Sequence, residues 1–275
     1  MNPWICGILA CCISVGCSGS FHKDIIETVP SQEIQFATYN IRHGVGIDGR
    51  LDLPRTLQVL KDLDADVIAL QEVDENVTRS EEVDQAAWLA GRLNMHYAFG
   101  SFMDYQGGRY GLAILSRYPI ASFKEWVLTE GNEPRVALAA NITFPNSRQC
   151  TAVAVHFDWV ADDAFRFMQA SETIQHLQLC STPWIVFGDF NDVPGSRTME
   201  GFYSIGTQIE GTENGLRSFP ADTPRVAIDS IIAGPPEHWI VGKGVVVNEP
   251  NASDHRPVRA TLELRNSPIK KRTAK

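Results

Sequence analysis

Short apolar runs that end abruptly in polar residues recur along this chain. The run Trp184–Phe187 has the length of a buried strand, and beyond Gly188 it continues into Asp189 and Asn191. A strand of this kind carries carboxylate and amide oxygens at its C-terminal end, and these are the ligands that a Mg²⁺-type cation prefers. The pattern therefore predicts a polar, metal-capable site at the end of this strand.

The same kind of pattern predicts the other elements. Further strands are predicted over Ile34–Tyr39, Val67–Leu70, Tyr110–Leu115, Val136–Phe144, Cys150–Phe157, Val226–Ile232, Gly244–Val247 and Pro257–Leu264. Apolar residues at helical spacing predict helices over 53–63, 83–93 and 162–179. We expect Phe165 and Met168 of the third helix to face the core. Residues 97–109 and 194–223 are expected to be loops that govern specificity.

One arrangement of elements occurs twice. Strand, helix and strand follow one another over residues 36–71 and again over residues 150–189. In each copy both strands end in residues that bind metals or transfer protons. The two copies are therefore expected to face one another across a single site.

Composition and charge narrow the function classes. The chain has 275 residues, of which 44% are hydrophobic and 21% charged, as in ordinary soluble domains with a sizeable core. Its 33 acidic and 24 basic residues give a formal net charge of -9. Duplex nucleic acid favours a basic protein face, so this acidic balance argues against a nucleic-acid partner unless the protein has a local basic patch.

The first twenty residues are apolar and carry no charged side chain. They are too short for a membrane-spanning helix with flanks, and they end in small residues, which is typical of an export signal. The ending Val15-Gly16-Cys17-Ser18 resembles a bacterial lipobox, in which Cys17 becomes the lipidated first residue. A signal cleaved without lipidation and an uncleaved anchor are the alternatives. We assign residues 1–17 to the export signal, 18–33 to a tether, 34–265 to one catalytic domain and 266–275 to a basic tail.

Eight polar residues lie at or near the ends of the apolar runs: Asn40, Glu72, His156, Asp189, Asn191, Asp229, Asp254 and His255. Taken singly, they are explained as turn formers, solvated loop carboxylates or a hydrogen-bonded core histidine. Asp229 is the exception, because it lies within an apolar run and a buried charge needs a specific partner. Together they supply a hard-cation site, a proton acceptor near neutral pH and donors for phosphoryl oxygens.

The set also resembles the endonuclease/exonuclease/phosphatase superfamily of metal-dependent phosphoesterases. The matching segments are Thr38-Tyr39-Asn40-Ile41, Leu70-Gln71-Glu72-Val73-Asp74, Ala113 to Ile120, Val155-His156-Phe157-Asp158, Gly188 to Asp192, Ile228 to Ile232 and Ser253 to Val258. They occur in the order typical of the family and extend over about residues 34–265. Each segment alone is a weak signal, whereas the ordered set is a strong one.

The resemblance implies a four-layered α/β sandwich, in which two packed mixed β-sheets are flanked by helices, with a Mg²⁺ or Mn²⁺ site at one end. It implies that Glu72 is the principal metal carboxylate, with Asn40 beside it and Asp254 on the other side. Asp189 and Asn191 would position the attacking water and the phosphate, and His156 would donate to a phosphoryl oxygen. His255, held by Asp229, would be the acid/base. Whether Asp189 or His255 takes the proton of the water stays open.

Two further pairs follow from this layout. Arg135 and Arg117 are candidate phosphate contacts, although a brace within the sheet is the favoured role for Arg117. If the strands that carry His156 and Asp189 both point to the cleft, their starts lie together at the opposite end. Cys150 and Cys180 lie at or just before those starts, and export permits a disulfide between them.

The expected function is therefore the hydrolysis of a phosphate monoester or diester, with Mg²⁺ or Mn²⁺ assisting an attack of water on phosphorus. A small or lipid-derived phosphoester is the favoured substrate. The alternatives are an extracellular nuclease and a non-catalytic binding module with the same fold. We expect a monomer without an obligate protein partner, exported to a bacterial cell envelope and held at the membrane by its lipid.

Overall fold

The computed structural model describes residues 32–211 and 215–265. The predicted export signal with Cys17, nearly all of the tether and the basic tail lie outside the described residues. The first strand begins at Gln32, two residues before the predicted start at Ile34. Within the described part of the chain, no helix is both long and apolar enough to cross a membrane.

In the described residues the domain has twelve strands and four α-helices. The strands are β1 Gln32–Asn40, β2 Val67–Glu75, β3 His96–Tyr105, β4 Gly108–Ser116, β5 Ile120–Val127, β6 Val136–Thr143, β7 Gln149–His156, β8 Trp184–Asp189, β9 Thr207–Gln208, β10 Asp229–Gly234, β11 Trp239–Val246 and β12 Val258–Leu264. The helices are α1 Leu53–Leu63, α2 Gln85–Leu93, α3 Ala164–Gln178 and α4 Arg197–Tyr203. Short 3₁₀ turns lie at Arg42–Gly44, Thr78–Ser80, Pro145–Ser147 and Pro236–His238.

The strands form two mixed sheets of six strands each. The order in the first sheet is β11-β12-β1-β2-β4-β3, and in the second it is β5-β6-β7-β8-β10-β9. Two pairs are parallel, β1 with β2 and β7 with β8, and each pair is joined through a helix, as predicted from the repeated strand–helix–strand pattern. Since parallel strands end at the same edge of a sheet, each parallel pair brings its terminal polar residues together.

Three buried clusters define four layers. The largest lies between the sheets and includes Phe36 and Phe187, whose rings meet edge to face with centroids 6.1 Å apart. A second cluster joins α1 and α2 to the outer face of the first sheet, and a third joins α3 and α4 to the outer face of the second. This confirms the predicted four-layered α/β sandwich.

Helix α1 follows its sequence pattern closely. Asp52 caps its N-terminus by accepting a hydrogen bond from the backbone N–H of Arg55 at 2.9 Å, and Pro54 lies in the first turn, where its missing N–H costs nothing. Leu57, Leu60 and Leu63 are buried against the sheet. The predicted apolar face is therefore confirmed.

Helix α3 differs from the prediction in the face that it buries. Phe165 and Met168, expected in the core, are 37% and 40% exposed, whereas Arg166, Gln169 and Thr173 are buried. Gln169 donates to the carbonyl of Thr129 and accepts from the backbone N–H of Asp158. Arg166 donates to the carbonyls of Asp158 and Val160 and pairs with Asp192. The loops above this helix need these polar partners, so hydrogen bonding overrides the apolar period.

Three strands, β3, β5 and β9, were not predicted from the pattern. Residues 97–109, expected to be a loop, form most of β3 and the beginning of β4, and β5 follows after a short turn. Residues 194–223, also expected to be a loop, include α4 and the short β9. β5 is an edge strand that is exposed along most of its length, so it lacks an apolar period. β3 does alternate between buried and half-buried positions, but its half-buried face carries Phe99 and Met103 and its buried face includes Gly100, so the sequence shows no clear apolar period.

The structure corrects one residue assignment, the disulfide, and decides another, in which Arg117 takes the bracing role favoured for it over a phosphate contact. Cys150 and Cys180 are free thiols, so the predicted disulfide is absent. The starts of β7 and β8 are adjacent as expected, but the thiol of Cys180 points to the carbonyl of His176 in the last turn of α3. Arg117 pairs with Asp64 and Asp66 at the start of β2, the end of the strand opposite to Glu72. It braces the sheet there and does not line the site.

The inter-sheet core gives a direct stability test. We expect Phe187→Ala to lower the free energy of unfolding by about 3–5 kcal/mol, because it removes a fully buried ring between rigid sheets. The measurement is urea denaturation followed by circular dichroism. Phe123→Ala, at a ring that is 54% exposed on β5, is the matched control and should change stability by less than about 0.5 kcal/mol. Equal losses for the two variants would contradict this assignment of the core.

Candidate active site

Residues from both sheets meet at one end of the sandwich. Asn40 ends β1, and its Nδ2 donates to Oε1 of Glu72 at 3.1 Å and to Oδ2 of Asp189 at 3.2 Å. Glu72 belongs to the first sheet and Asp189 to the second. The amide of Asn40 therefore joins the two repeated halves at a single site, as the sequence predicted.

Local backbone irregularity directs Glu72 into this site. The pairing of β2 with β4 shifts register between Gln71 and Val73, and Glu72 at that bulge has a φ of +58°. A bulge re-aims a side chain that would otherwise follow the alternation of the strand. Positive φ costs free energy for a non-glycine residue, so the surrounding structure must hold it in place. Such residues are concentrated at functional sites.

Asp189 is held from several directions at the end of β8. A side chain at Gly188 would place its Cβ 2.1 Å from the carbonyl oxygen of Val155, so only glycine lets β8 lie against β7 here. Oδ1 of Asp189 accepts from the backbone N–H of Asn191 at 2.9 Å. The side chain of Asn191 in turn donates to the carbonyl of Phe157 at 3.0 Å. Asp189 is thereby fixed with Oδ2 near Asn40, His156 and His255.

Asp229 and His255 form a buried pair beside Asp189. Asp229 begins β10 and lies opposite Asp189 in the antiparallel register, and its Oδ2 lies 2.9 Å from Nδ1 of His255. Oδ2 of Asp229 also accepts a hydrogen bond from the hydroxyl of Ser218. Nε2 of His255 and Nε2 of His156 each lie 3.6 Å from Oδ2 of Asp189. His255 is therefore the specific partner that a buried carboxylate at Asp229 requires.

Burial and neighbouring charge set the protonation of this group. Burial alone would lower the pKa of His255, but the carboxylates of Asp229 and Asp189 raise it to about 10. Burial raises the pKa of Asp189 to about 7, helped by the charge of Asp229 and opposed by His255. The site thus holds a protonated imidazole next to a carboxyl group that titrates near neutral pH.

The pKa values of Glu72 and His156 are both lowered, whereas those of His255 and Asp189 are raised. Burial alone would raise the pKa of Glu72, but His43, His156, Asn40 and His255 together lower it to about 2. Burial lowers the pKa of His156 to about 3, and the guanidinium of Arg135 acts in the same direction. At neutral pH the site therefore presents an ionised Glu72 and a neutral His156.

The wall beside His156 contains unpaired donors. Arg135 is buried, and only its Nη2 has a partner, Oε2 of Glu133 at 3.1 Å. Nε and Nη1 of Arg135 and Nδ1 of His156 are buried and have no hydrogen-bond partner among the described residues. The guanidinium lies 4.9 Å from the ring centre of Phe102, which in turn packs against His156. Buried N–H groups without partners are costly, and an anion would satisfy them.

The donor set fits a divalent cation. Carboxylate oxygens of Glu72 and the amide oxygen of Asn40 are the ligand type that such a cation prefers, whereas Nδ2 of Asn40, which donates to Glu72 and Asp189, is not a ligand atom. Asp189, Asp229 and His255 form the one group of three or more His, Cys, Asp or Glu residues in the described ranges whose ligand atoms all lie within 4.8 Å. Because His255 already pairs with Asp229 in that group, Glu72 and Asn40 are the residues that could hold the cation.

The structure brings together seven of the residues predicted from the sequence: Asn40, Glu72, His156, Asp189, Asn191, Asp229 and His255. Asp254 lies at the rim, where its carboxylate is 3.7 Å from Nε of Arg42, and its role as a ligand stays a prediction. Two serines were not predicted as site residues: Ser218, and Ser253, whose hydroxyl donates to the carbonyl of Asn40 at 2.7 Å. Ser218 had no sequence signal, because it acts through a distant contact, whereas Ser253 lies in the matching segment Ser253 to Val258 and also accepts from the backbone N–H of His255 at 3.3 Å.

Comparisons with known proteins agree with this geometry. A family model described as the endonuclease/exonuclease/phosphatase family matches residues 37–255. The chain belongs to this family, whose members are generally phosphoester hydrolases, and the predicted resemblance is confirmed. The Escherichia coli K12 protein YbhP, itself uncharacterised, is 27% identical over 269 residues, covering 86% of this chain and 100% of YbhP.

Solved structures with low sequence identity share the fold. A family member from Bacteroides thetaiotaomicron superposes with a TM-score of 0.72 at 19% identity, covering 86% of this chain and 100% of its own. A mannosyl-6-phosphatase from Bacteroides thetaiotaomicron VPI-5482 has a TM-score of 0.66 at 19% identity, covering 83% and 99%. At these identities the comparison supports the architecture alone.

The Asp229–His255 pair gives a prediction that needs no substrate. In EDTA-treated protein, Asp229→Asn should lower the pKa of His255 towards its ordinary value of 6.5, because one of two flanking carboxylates is lost. Titration of the ring nitrogens by ¹⁵N NMR measures this pKa. In the wild type the pair stabilises the fold fully below about pH 6.5, and this contribution is lost as the pH rises through about 10.

Asp222→Asn is the control for that titration, since Asp222 is an exposed carboxylate in the loop before β10. It should leave the pKa of His255 unchanged. An unchanged pKa in Asp229→Asn as well would show that the pair does not set the charge of His255.

Proposed function

We propose that this protein is a Mg²⁺- or Mn²⁺-dependent phosphoester hydrolase that acts on a small or lipid-derived phosphate monoester or diester. One observation carries the proposal: the cleft combines cation ligands with unpaired anion donors. Glu72 and Asn40 provide the first, and Arg135 and His156 the second. Binding a phosphate ester together with a metal ion requires cation ligands and anion donors within one site.

The ligand assignment follows from ionisation and position. Glu72 and Asn40 would hold the cation, because Glu72 stays ionised down to low pH and the adjoining side chain of Asn40 carries an amide oxygen, Oδ1. When bound, the cation supplies charge neutralisation at the phosphoryl oxygens and lowers the pKa of water. Arg135 and neutral His156, with its proton on Nδ1, would donate to the same phosphoryl group from the other wall.

Proton transfer is assigned to Asp189 and His255. Asp189 would take the proton of the attacking water, because burial places its pKa near neutral and its Oδ2 lies near His156 and His255. His255 is kept protonated by Asp229, so it would act as the cationic donor and acid beside Asp189. Two groups whose environments drive them to opposite protonation states define an acid and a base. The base is therefore assigned to Asp189, a choice that the sequence left open.

Charge around the cleft supports a small substrate. Arginines at the rim are each paired with a carboxylate, namely Arg42 with Asp254, Arg79 with Asp74, Arg109 with Glu75 and Arg166 with Asp192. The chain has a net charge of -9 and these arginines are neutralised, so we expect a long polyanion to bind only weakly here. A nuclease acting on extracellular nucleic acid is therefore the second candidate. A non-catalytic module is disfavoured because the predicted acid, base and cation ligands are all present in the chain.

Activity on chromogenic esters is the primary test. Purified protein should hydrolyse bis-p-nitrophenyl phosphate or p-nitrophenyl phosphate with Mg²⁺ or Mn²⁺, and EDTA should abolish turnover. We expect His255→Ala to lower kcat by about 10²- to 10⁴-fold, because the acid and its charge are removed. Glu72→Gln should raise the metal concentration needed for half-maximal rate. His96→Gln, at an exposed residue on β3, is the control that should retain full activity.

A substrate panel separates the candidates. It contains inositol phosphates, glycerophospho head groups, sphingomyelin-type lipids, sugar phosphates, nucleotides and DNA. Faster turnover of DNA than of every small ester would favour the nuclease. Absence of EDTA-sensitive turnover on the whole panel would contradict catalysis and favour the binding module.

We propose further that the chain is exported, lipidated at Cys17 and anchored as a monomer at a bacterial cell envelope. The apolar first twenty residues and the Val15-Gly16-Cys17-Ser18 ending support this proposal. Cys17→Ser should move the expressed full-length protein out of the detergent-soluble membrane fraction and abolish labelling by a fatty-acid probe. Cys150→Ser is the matched control. A wild type that takes up no label would contradict lipidation.

A further inference from the structure

His43 lies next to Glu72 in an unusual backbone conformation. Arg42 and His43 both have positive φ angles, +46° and +45°, and they lie directly after Ile41 in a tight turn. Two consecutive non-glycine residues in the left-handed region cost free energy, and such strain persists where the surroundings impose it. The turn therefore holds His43 in one place.

The surroundings that impose this turn are identifiable. Gln85, the first residue of α2 and itself buried, donates from Nε2 to the carbonyl of His43 at 2.8 Å. Its Oε1 accepts from the backbone N–H of Asp74 at 3.0 Å, two residues beyond Glu72 on β2. One side chain thus ties the His43 backbone to the strand that carries Glu72. The relative position of the two side chains is fixed by this tie.

The imidazole has an unpaired nitrogen directed at Glu72. Nδ1 of His43 is buried, has no hydrogen-bond partner in the described ranges, and lies 3.9 Å from Oε2 of Glu72. That separation exceeds the reach of a hydrogen bond, about 3.2 Å. Two donors on one ion at ligand distances of about 2.1 Å lie at most about 4.2 Å apart, so an ion fits between these atoms. Oε1 of Glu72, by contrast, is already taken by Asn40.

We propose that His43 is a further ligand of the cation, contributing Nδ1 beside Oε2 of Glu72. This inference rests on the proposed function, because it concerns the same metal site. Mg²⁺ takes oxygen ligands almost exclusively, whereas Mn²⁺, although it also suits carboxylates, is a transition metal that binds imidazole more readily. The protein should therefore bind Mn²⁺ more tightly than Mg²⁺, and His43 should be responsible for the difference.

The test is electron spin echo envelope modulation of full-length protein loaded with Mn²⁺. The wild type should show the modulation of a directly bound ¹⁴N nucleus, and His43→Asn should lose it. Asparagine is the suitable replacement, because it tolerates the left-handed backbone and keeps a polar side chain without an imidazole. His43→Gln is a second variant with the same expectation, and thermal unfolding checks that both retain the fold. His96→Gln should keep the modulation.

Isothermal titration gives an independent readout. His43→Asn should weaken Mn²⁺ binding at least about tenfold and Mg²⁺ binding by less. The difference in affinity between the two metals should therefore become smaller. A wild type that binds Mn²⁺ without the ¹⁴N modulation, or a modulation kept in both His43 variants, would overturn this inference and leave the proposed function standing. A wild type that binds neither metal would overturn the metal dependence of the proposed function as well.

Discussion

The site depends on one buried amide between two carboxylates. Asn40 donates to Glu72 in its own sheet and to Asp189 in the facing sheet, so a single side chain spans the sandwich at its functional end. A hydrogen bond to a charged group contributes about 1.5–3 kcal/mol, and removing the donor would leave two buried carboxylates facing each other. Ser253 adds a third connection by donating to the backbone of the same residue. The rest of the cleft is arranged around this contact.

Around that amide, the two sheets contribute different groups. The first sheet carries the ionised Glu72, whereas the second carries Asp189 beside its register partner His156, with Arg135 just before β6. His255 lies between two carboxylates, which raise its pKa. Buried N–H groups of Arg135 and Nδ1 of His156 have no hydrogen-bond partner in the described residues, so an anion bound together with a cation would satisfy both kinds of group. Electrostatic stabilisation of this pre-organised kind is usually the largest catalytic contribution of a site.

Much of this arrangement was predictable because the ends of buried strands can be recognised in the sequence. Apolar runs that stop at Asn40, Glu72, His156 and Asp189 located the site before the fold was known, and their occurrence in two strand–helix–strand units placed them at matching edges. The exposed edge strand β5 and the bulged β3 were missed, since neither keeps a regular apolar period. The buried face of α3 was misread for another reason: its polar residues serve distant loops, and no local pattern reports such partners.

The sequence alone determined the family, the two-sheet architecture and most of the polar residues that meet at the site, because these follow from residue types and motifs at the ends of periodic runs. Only the tertiary structure decided which groups pair. It added Ser218 to the Asp229–His255 pair that the family resemblance implied, placed Arg117 away from the site, kept Cys150 and Cys180 as free thiols and brought His43 beside Glu72. Those outcomes depend on distances between residues far apart in the chain, and on backbone turns at positive φ, which hydrophobic periodicity does not encode.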